Sequence, residues 1–206
     1  MAGSRECDLS FFCREPPRSC MTLESDAVRT VAGLMALAAR TAPKAVGKDS
    51  IQCRIVTGKE QERLAARIEA MGKALGFDFF FVNADQVRKS DATLLIGVDG
   101  TRALGLNCGG CGFPTCAEMI KAGKAAAKKK RSVYGGPNCV FKISDLGIAV
   151  GSAVKTASIH NADNRIMFTA GVAALELGML KGCSVAYGIP LAAAGKNPFF
   201  DIPMKH

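Results

Sequence analysis

The sequence predicts an α+β chain, a mixed sheet flanked by helices with a Cys-rich loop inserted into it. Three observations carry this. Ile51-Gln-Cys-Arg-Ile-Val-Thr57 alternates like a half-buried strand, and Ala92 to Val98 reads as a fully buried one. Around them, apolar residues recur at helical spacing, as in Leu64, Ile68, Met71 and Leu75. Directly after the second strand, Cys108-Gly-Gly-Cys111-Gly-Phe-Pro-Thr-Cys116 breaks the pattern, followed by Cys139 in a Gly-Gly-Pro-Asn-Cys turn.

In chain order, residues 1–20 read as an N-terminal extension, disordered or not native. Cys7, Cys13, Cys20 and Pro16-Pro17 show neither helical nor strand period there, and the cysteine spacings fit no common ligand pattern. Residues 21–206 read as a single domain with an insertion at about 104–140. Its first helix spans about 24–42, with Val28, Val31, Leu34, Met35 and Ala38 on one stripe and Pro43 ending it. The strand at 51–57 makes Cys53 a core residue. A helix follows over 59–75, closed by Gly76. Phe77 to Val82 reads as a buried strand, joined by a short helical turn near Asp85 to the strand at 92–98. Beyond the cysteine loop come a basic helix of about 117–130, helices of about 141–159 and 164–180, and a last strand at 183–188. Cys183 opens that strand as a small buried hydrophobe.

Composition narrows the function. Hydrophobic residues make up 49% of 206, enough for a sizeable core. Lys155, Glu176 and Lys181 interrupt the longest apolar runs, so no membrane span is expected. No basic segment followed by an apolar one marks a secretory signal. Nine cysteines without such a signal point to a reducing cytoplasm. The net charge of +9 is concentrated in Lys121, Lys124, Lys128, Lys129, Lys130 and Arg131, after the cysteines. That run is either a solvated helix face or a dock for an acidic redox partner such as a ferredoxin or flavodoxin. Nucleic-acid binding is not indicated, because Trp is absent and no aromatic interleaves the lysines. With His160 and His206 as the sole histidines there is no Ser-His-Asp pattern, and no phosphate-cradling Gly-Lys-Ser/Thr loop occurs.

Thiolates are soft ligands, and four converging from Gly-rich loops suit an iron-sulfur cluster or a tetrahedral zinc. Gly109, Gly110 and Gly112 let the backbone turn tightly and bring amide N–H groups against a bulky anionic core. Iron-sulfur is the first expectation, with Cys108, Cys111, Cys116 and Cys139 as ligands, and zinc stays open.

The Cys-x2-Cys-x4-Cys run with a later Cys resembles the four-cysteine [4Fe-4S] segment of some anaerobic electron-transfer subunits. From about Met21 onward the chain resembles a family of uncharacterised microbial proteins containing a ferredoxin domain. Ala38-Ala-Arg-Thr-Ala-Pro-Lys44, Gly136-Pro-Asn-Cys-Val-Phe-Lys142, Asp163-Asn-Arg-Ile-Met167 and Gly195-Lys-Asn-Pro198 are among the stretches that carry this. The order of elements, with Ala-Pro after the first helix and a final strand ending Gly188-Ile-Pro190, also resembles the flavin-dependent nitroreductase fold. That resemblance implies a homodimer with FMN in interface pockets. Where such proteins carry Ser and then Asn-Gln-Pro-Trp after Ala-Pro, this chain has Lys44 and Lys48-Asp-Ser-Ile51. For a flavin phosphate, Lys44, Lys48, Arg165 and Lys196 are the candidate charges, with Gly151, Ser152, Ala153 and Ser158 leaving room for the ring. The expected function is an iron-sulfur redox protein moving electrons between a [4Fe-4S] cluster and a flavin or partner protein, and the resemblance implies a flavin-dependent oxidoreductase. The alternative is a non-enzymatic, metal- or cluster-stabilised binding or sensor protein.

Overall fold

The computed structural model describes residues 22–126 and 133–200. Its helices and strands follow in the order α1 (Leu23–Thr41), a 3-10 turn (Ala45–Gly47), β1 (Ile51–Val56), α2 (Gly58–Leu75), α3 (Phe79–Lys89), β2 (Ala92–Val98), α4 (Cys116–Ala126), α5 (Val140–Ile159), β3 (Asp163–Asn164), α6 (Phe168–Glu176) and β4 (Val185–Ala192). The strands form one sheet in the order β1-β2-β4-β3. Every described pairing is antiparallel, where a mixed sheet is expected from the sequence.

The layers follow from the pattern of side chains. β2 is buried along its whole length, so it presents apolar residues to both faces. Leu94, Ile96 and Val98 face α1 and α5 through Val31, Met35, Leu146 and Ala153. Leu95 faces the other way, towards α2, α3 and α6 through Leu64, Ile68, Phe80 and Ala173. The result is a sheet sandwiched between two helical layers, each fully buried Leu or Ile contributing about 1.5–3 kcal/mol. The termini of the first helices are set locally. Thr22 Oγ1 accepts the Ser25 N–H at 3.2 Å to open α1, and Gly76 closes α2 in the left-handed region at φ 73°.

Other expectations change as well: the last strand, expected at 183–188 with Cys183 opening it, is β4 at Val185–Ala192, and Cys183 precedes it. The Phe77–Val82 segment is not a strand: Phe79 begins α3, which buries Phe80, Asn83, Ala84 and Val87. Those positions recur at i, i+3, i+4 and i+7, and this helical period overrides the strand preference of a Phe run. Phe77, Phe79 and Phe81 are left largely outside. The helix expected over 164–180 is shorter. Residues before Phe168 are drawn into the sheet edge instead, with Met167 N–H donating to Gly188 O at 2.8 Å and Gly188 N–H to Met167 O at 2.9 Å. Close contact of α6 with β4 is possible because of Gly171, where a Cβ would stand 1.9 Å from the Ala186 carbonyl oxygen.

Candidate metal centre

β2 delivers the chain into the cysteine loop, and α5 starts where Cys139 leaves it. Cys139 is the N-cap of α5, and among the described residues no side chain caps that helix end. Cys116 is the first residue of α4, whose start is fixed by neighbours. Thr115 Oγ1 accepts the Glu118 N–H at 3.2 Å, and Asn107 Oδ1 accepts the Cys116 N–H at 2.9 Å. Both cysteines therefore sit at the positive ends of helix dipoles, where a thiolate or an anionic cluster is favoured.

Glycine sets how the first two cysteines approach. Gly109 and Gly112 have φ values of 71° and 84°, and Gly112 N–H donates to Gly109 O at 2.9 Å, closing a tight turn around Cys111. Gly110 lies against the first residue of α5, since a Cβ there would be 2.8 Å from Val140 Cγ1. A side chain at this position would push the loop, and Cys108 with it, away from Cys139.

Cys108, Cys111, Cys116 and Cys139 all line one hollow, with Met119, Phe113 and Val140 among its other walls. Cys108 is exposed, Cys111 and Cys116 are half-buried, and Cys139 is buried. Among the described residues, no three His, Cys, Asp or Glu side chains are placed to hold one metal ion. Four thiols around one hollow suit a polynuclear cluster, in which each takes a different iron. A tetrahedral zinc requires convergence at about 2.3 Å from every sulfur. The donor set of four thiols fits a cluster and also a tetrahedral zinc. Cys53 and Cys183 stand apart, packed into the core, and burial pushes the Cys183 thiol up to about 11.

The four candidate flavin charges fall into two pairs. The Lys44 ammonium donates to Ala39 O at 2.8 Å and to Arg40 O, capping the end of α1. Lys48 lies just beyond, its carbonyl accepting from Lys142 Nζ. Arg165 donates to Gln86 Oε1 at 3.1 Å and stands 5.6 Å from the centre of the Phe200 ring. Lys196 neighbours Asn197, which donates to Asp163 Oδ1 at 2.7 Å. The first pair is docked at the N-terminal end of α5 and the second lies past its C-terminal end, about 30 Å along a 20-residue helix. The basic residues Lys128 to Arg131 lie outside the described residues, as do residues 1–20, while Lys121 and Lys124 are carried by α4.

A pair that the sequence did not reveal lies beside the site. Lys142 and Asp145 are each 2% exposed, with Lys142 Nζ 3.6 Å from Asp145 Oδ2. Asp145 Oδ1 accepts the Ala45 N–H at 2.8 Å, so the pair fastens the Ala45–Gly47 turn to the first turns of α5.

The class of fold is that of the nitroreductases. The chain is similar to nitroreductase CinD from Lactococcus lactis in complex with nicotinic acid, with a TM-score of 0.54 and 13% identity over 86% of this chain and 84% of that one. Similarity to NfrA1 nitroreductase from B. subtilis gives 0.51 and 10% over 85% and 61%, and to nitroreductase A from Vibrio parahaemolyticus 0.50 and 12% over 82% and 60%. The chain therefore spans less than two thirds of these last two, and at such identities the likeness is one of fold. An uncharacterised protein of Archaeoglobus fulgidus is 46% identical over 178 residues, 86% of this chain and 93% of that protein. A family described as uncharacterised proteins containing a ferredoxin domain matches residues 135–201, which include Cys139. The chain belongs to this ferredoxin-domain family.

Among the described residues no helix is long and apolar enough to cross a membrane.

Proposed function

We propose that this chain is a cytoplasmic iron-sulfur redox protein that holds a [4Fe-4S] cluster through Cys108, Cys111, Cys116 and Cys139 and exchanges single electrons with a flavin or a partner protein. The observation that carries it is the gathering of four thiols around one hollow in a chain of the ferredoxin-domain family. Bound there, the cluster supplies one-electron chemistry. The chain supplies the Gly-rich turn, the two helix N-termini and the apolar wall of Met119 and Phe113.

The flavin and homodimer readings are one proposal. Lys44 and Lys48 lie too far from Arg165 and Lys196 for one phosphate to meet both pairs within a chain. A second copy whose α5 runs the opposite way brings the two ends together. The outer face of α5 suits such a neighbour, because Gly147 and Gly151 have open space where a Cβ would be and Ile148 is exposed. An acidic electron-carrier protein is the partner we propose for the mouth of the cluster site. Lys121 and Lys124 supply charge there, beside the exposed Leu106 and Ile120.

Replacing Cys111 by Ala tests the ligand set. Anaerobically isolated Cys111→Ala is expected to lose most of the broad visible absorption and iron of the parent, and retention of the full iron content would contradict the assignment.

A further inference from the structure

Cys139 reaches the hollow from a turn 23 residues beyond Cys116, and its placement depends on a polar knot that contains no thiol. Ser184, 5% exposed and just ahead of β4, is the centre of it. Its Oγ accepts the Gly100 N–H at 2.9 Å and donates to Asn138 Oδ1 at 2.6 Å. Asn138 Nδ2 donates to Gly135 O at 2.7 Å, and the Cys139 N–H donates to Gly100 O at 2.7 Å. Ser184 is itself fixed to the end of β2, its N–H donating to Val98 O at 2.9 Å. Gly100 leaves no slack, since a Cβ there would lie 2.5 Å from Asn138 Oδ1 and 2.9 Å from Ser184 Oγ.

We infer that Asn138 and Ser184 are positioning residues for the Cys139 thiol: they lock the turn that carries it to the ends of β2 and β4. The inference rests on the proposed cluster ligation in giving the lock a purpose. The physical reason is reach. Three ligands share one nine-residue loop and one helix start, so they move together, whereas the fourth arrives from a separate segment. Buried polar partners of this kind hold a ligand in place without touching the metal.

The test compares Ser184→Ala and Asn138→Ala with Asn83→Ala. The last removes a buried amide that donates to Thr169 Oγ1 at 2.9 Å on the opposite helical layer. In anaerobically isolated protein, both knot variants are expected to lose iron to a chelator about 10- to 100-fold faster than the parent. Asn83→Ala, which also removes a buried side-chain hydrogen bond, loses it at the parent rate. Parent-like iron loss in the knot variants, or equal acceleration in Asn83→Ala, would overturn the inference. A second readout is independent of the cluster. In iron-free chain, the Cys139 thiol, 6% exposed, is alkylated about fivefold faster in the knot variants, the equivalent of one lost hydrogen bond. Unchanged alkylation overturns the inference even if the parent binds no iron, whereas an iron-free parent with accelerated alkylation removes the cluster and leaves the positioning.

Discussion

At the scale of single residues, the site combines parts that sequence exposes with parts it hides. The four cysteines are legible because their chemistry is rare and three of them fall within nine residues. Lys142 and Asp145 are not, since charges at i and i+3 on a helix ordinarily mark a solvated face. What buries them is the Ala45–Gly47 turn, which arrives from about a hundred residues upstream. The turn also holds Val46 at φ 55°, an unfavourable region for a β-branched residue, so the pair fastens a strained segment. Removing one member of a buried pair strands the other charge. Asp145→Ala is expected to lower the unfolding free energy by about 3–5 kcal/mol, read from chemical denaturation. A loss below about 1 kcal/mol would mean that water reaches Lys142.

At the scale of elements, the helical stripes of α1 and α2 and the buried run of β2 follow from hydrophobic period, although Leu34 and Leu75, expected on those stripes, stay exposed. α3 does not follow from it. Its five aromatic and branched residues suit a strand locally. The outcome is decided by Phe80, which packs over Gly72 of α2, where a Cβ would be 2.7 Å from Phe80 Cβ, and meets Phe168 edge-on at 6.0 Å. The segment at 163–167 is equally opaque, because its pairing partner, β4, comes later in the chain. Where α6 crosses β4, close approach is the structural requirement. Gly171→Ala is expected to cost about 3 kcal/mol or more in thermal or chemical unfolding, because the obstructing atoms are the backbone of Ala186. A stable, unshifted variant would place α6 farther from the sheet than described.

For the whole molecule, the sandwich of helices around one sheet places the thiols at one end of α5, between the tip of β2 and the start of α4. The scaffold is nitroreductase-like, and the cysteine loop leaves it between β2 and α4. The sequence alone placed the cysteine loop directly after β2, because the strand ends and the cysteines begin within ten residues. It did not reveal that the candidate flavin charges divide between the two ends of α5, a separation that depends on tertiary placement. That separation ties the flavin reading to a second copy of the chain, while the cluster reading needs one copy alone. The central claim is therefore tested most directly by iron, zinc and acid-labile sulfide analysis of full-length protein isolated without oxygen. The account predicts iron and sulfide in equal amounts with little zinc. Stoichiometric zinc with no sulfide would contradict it.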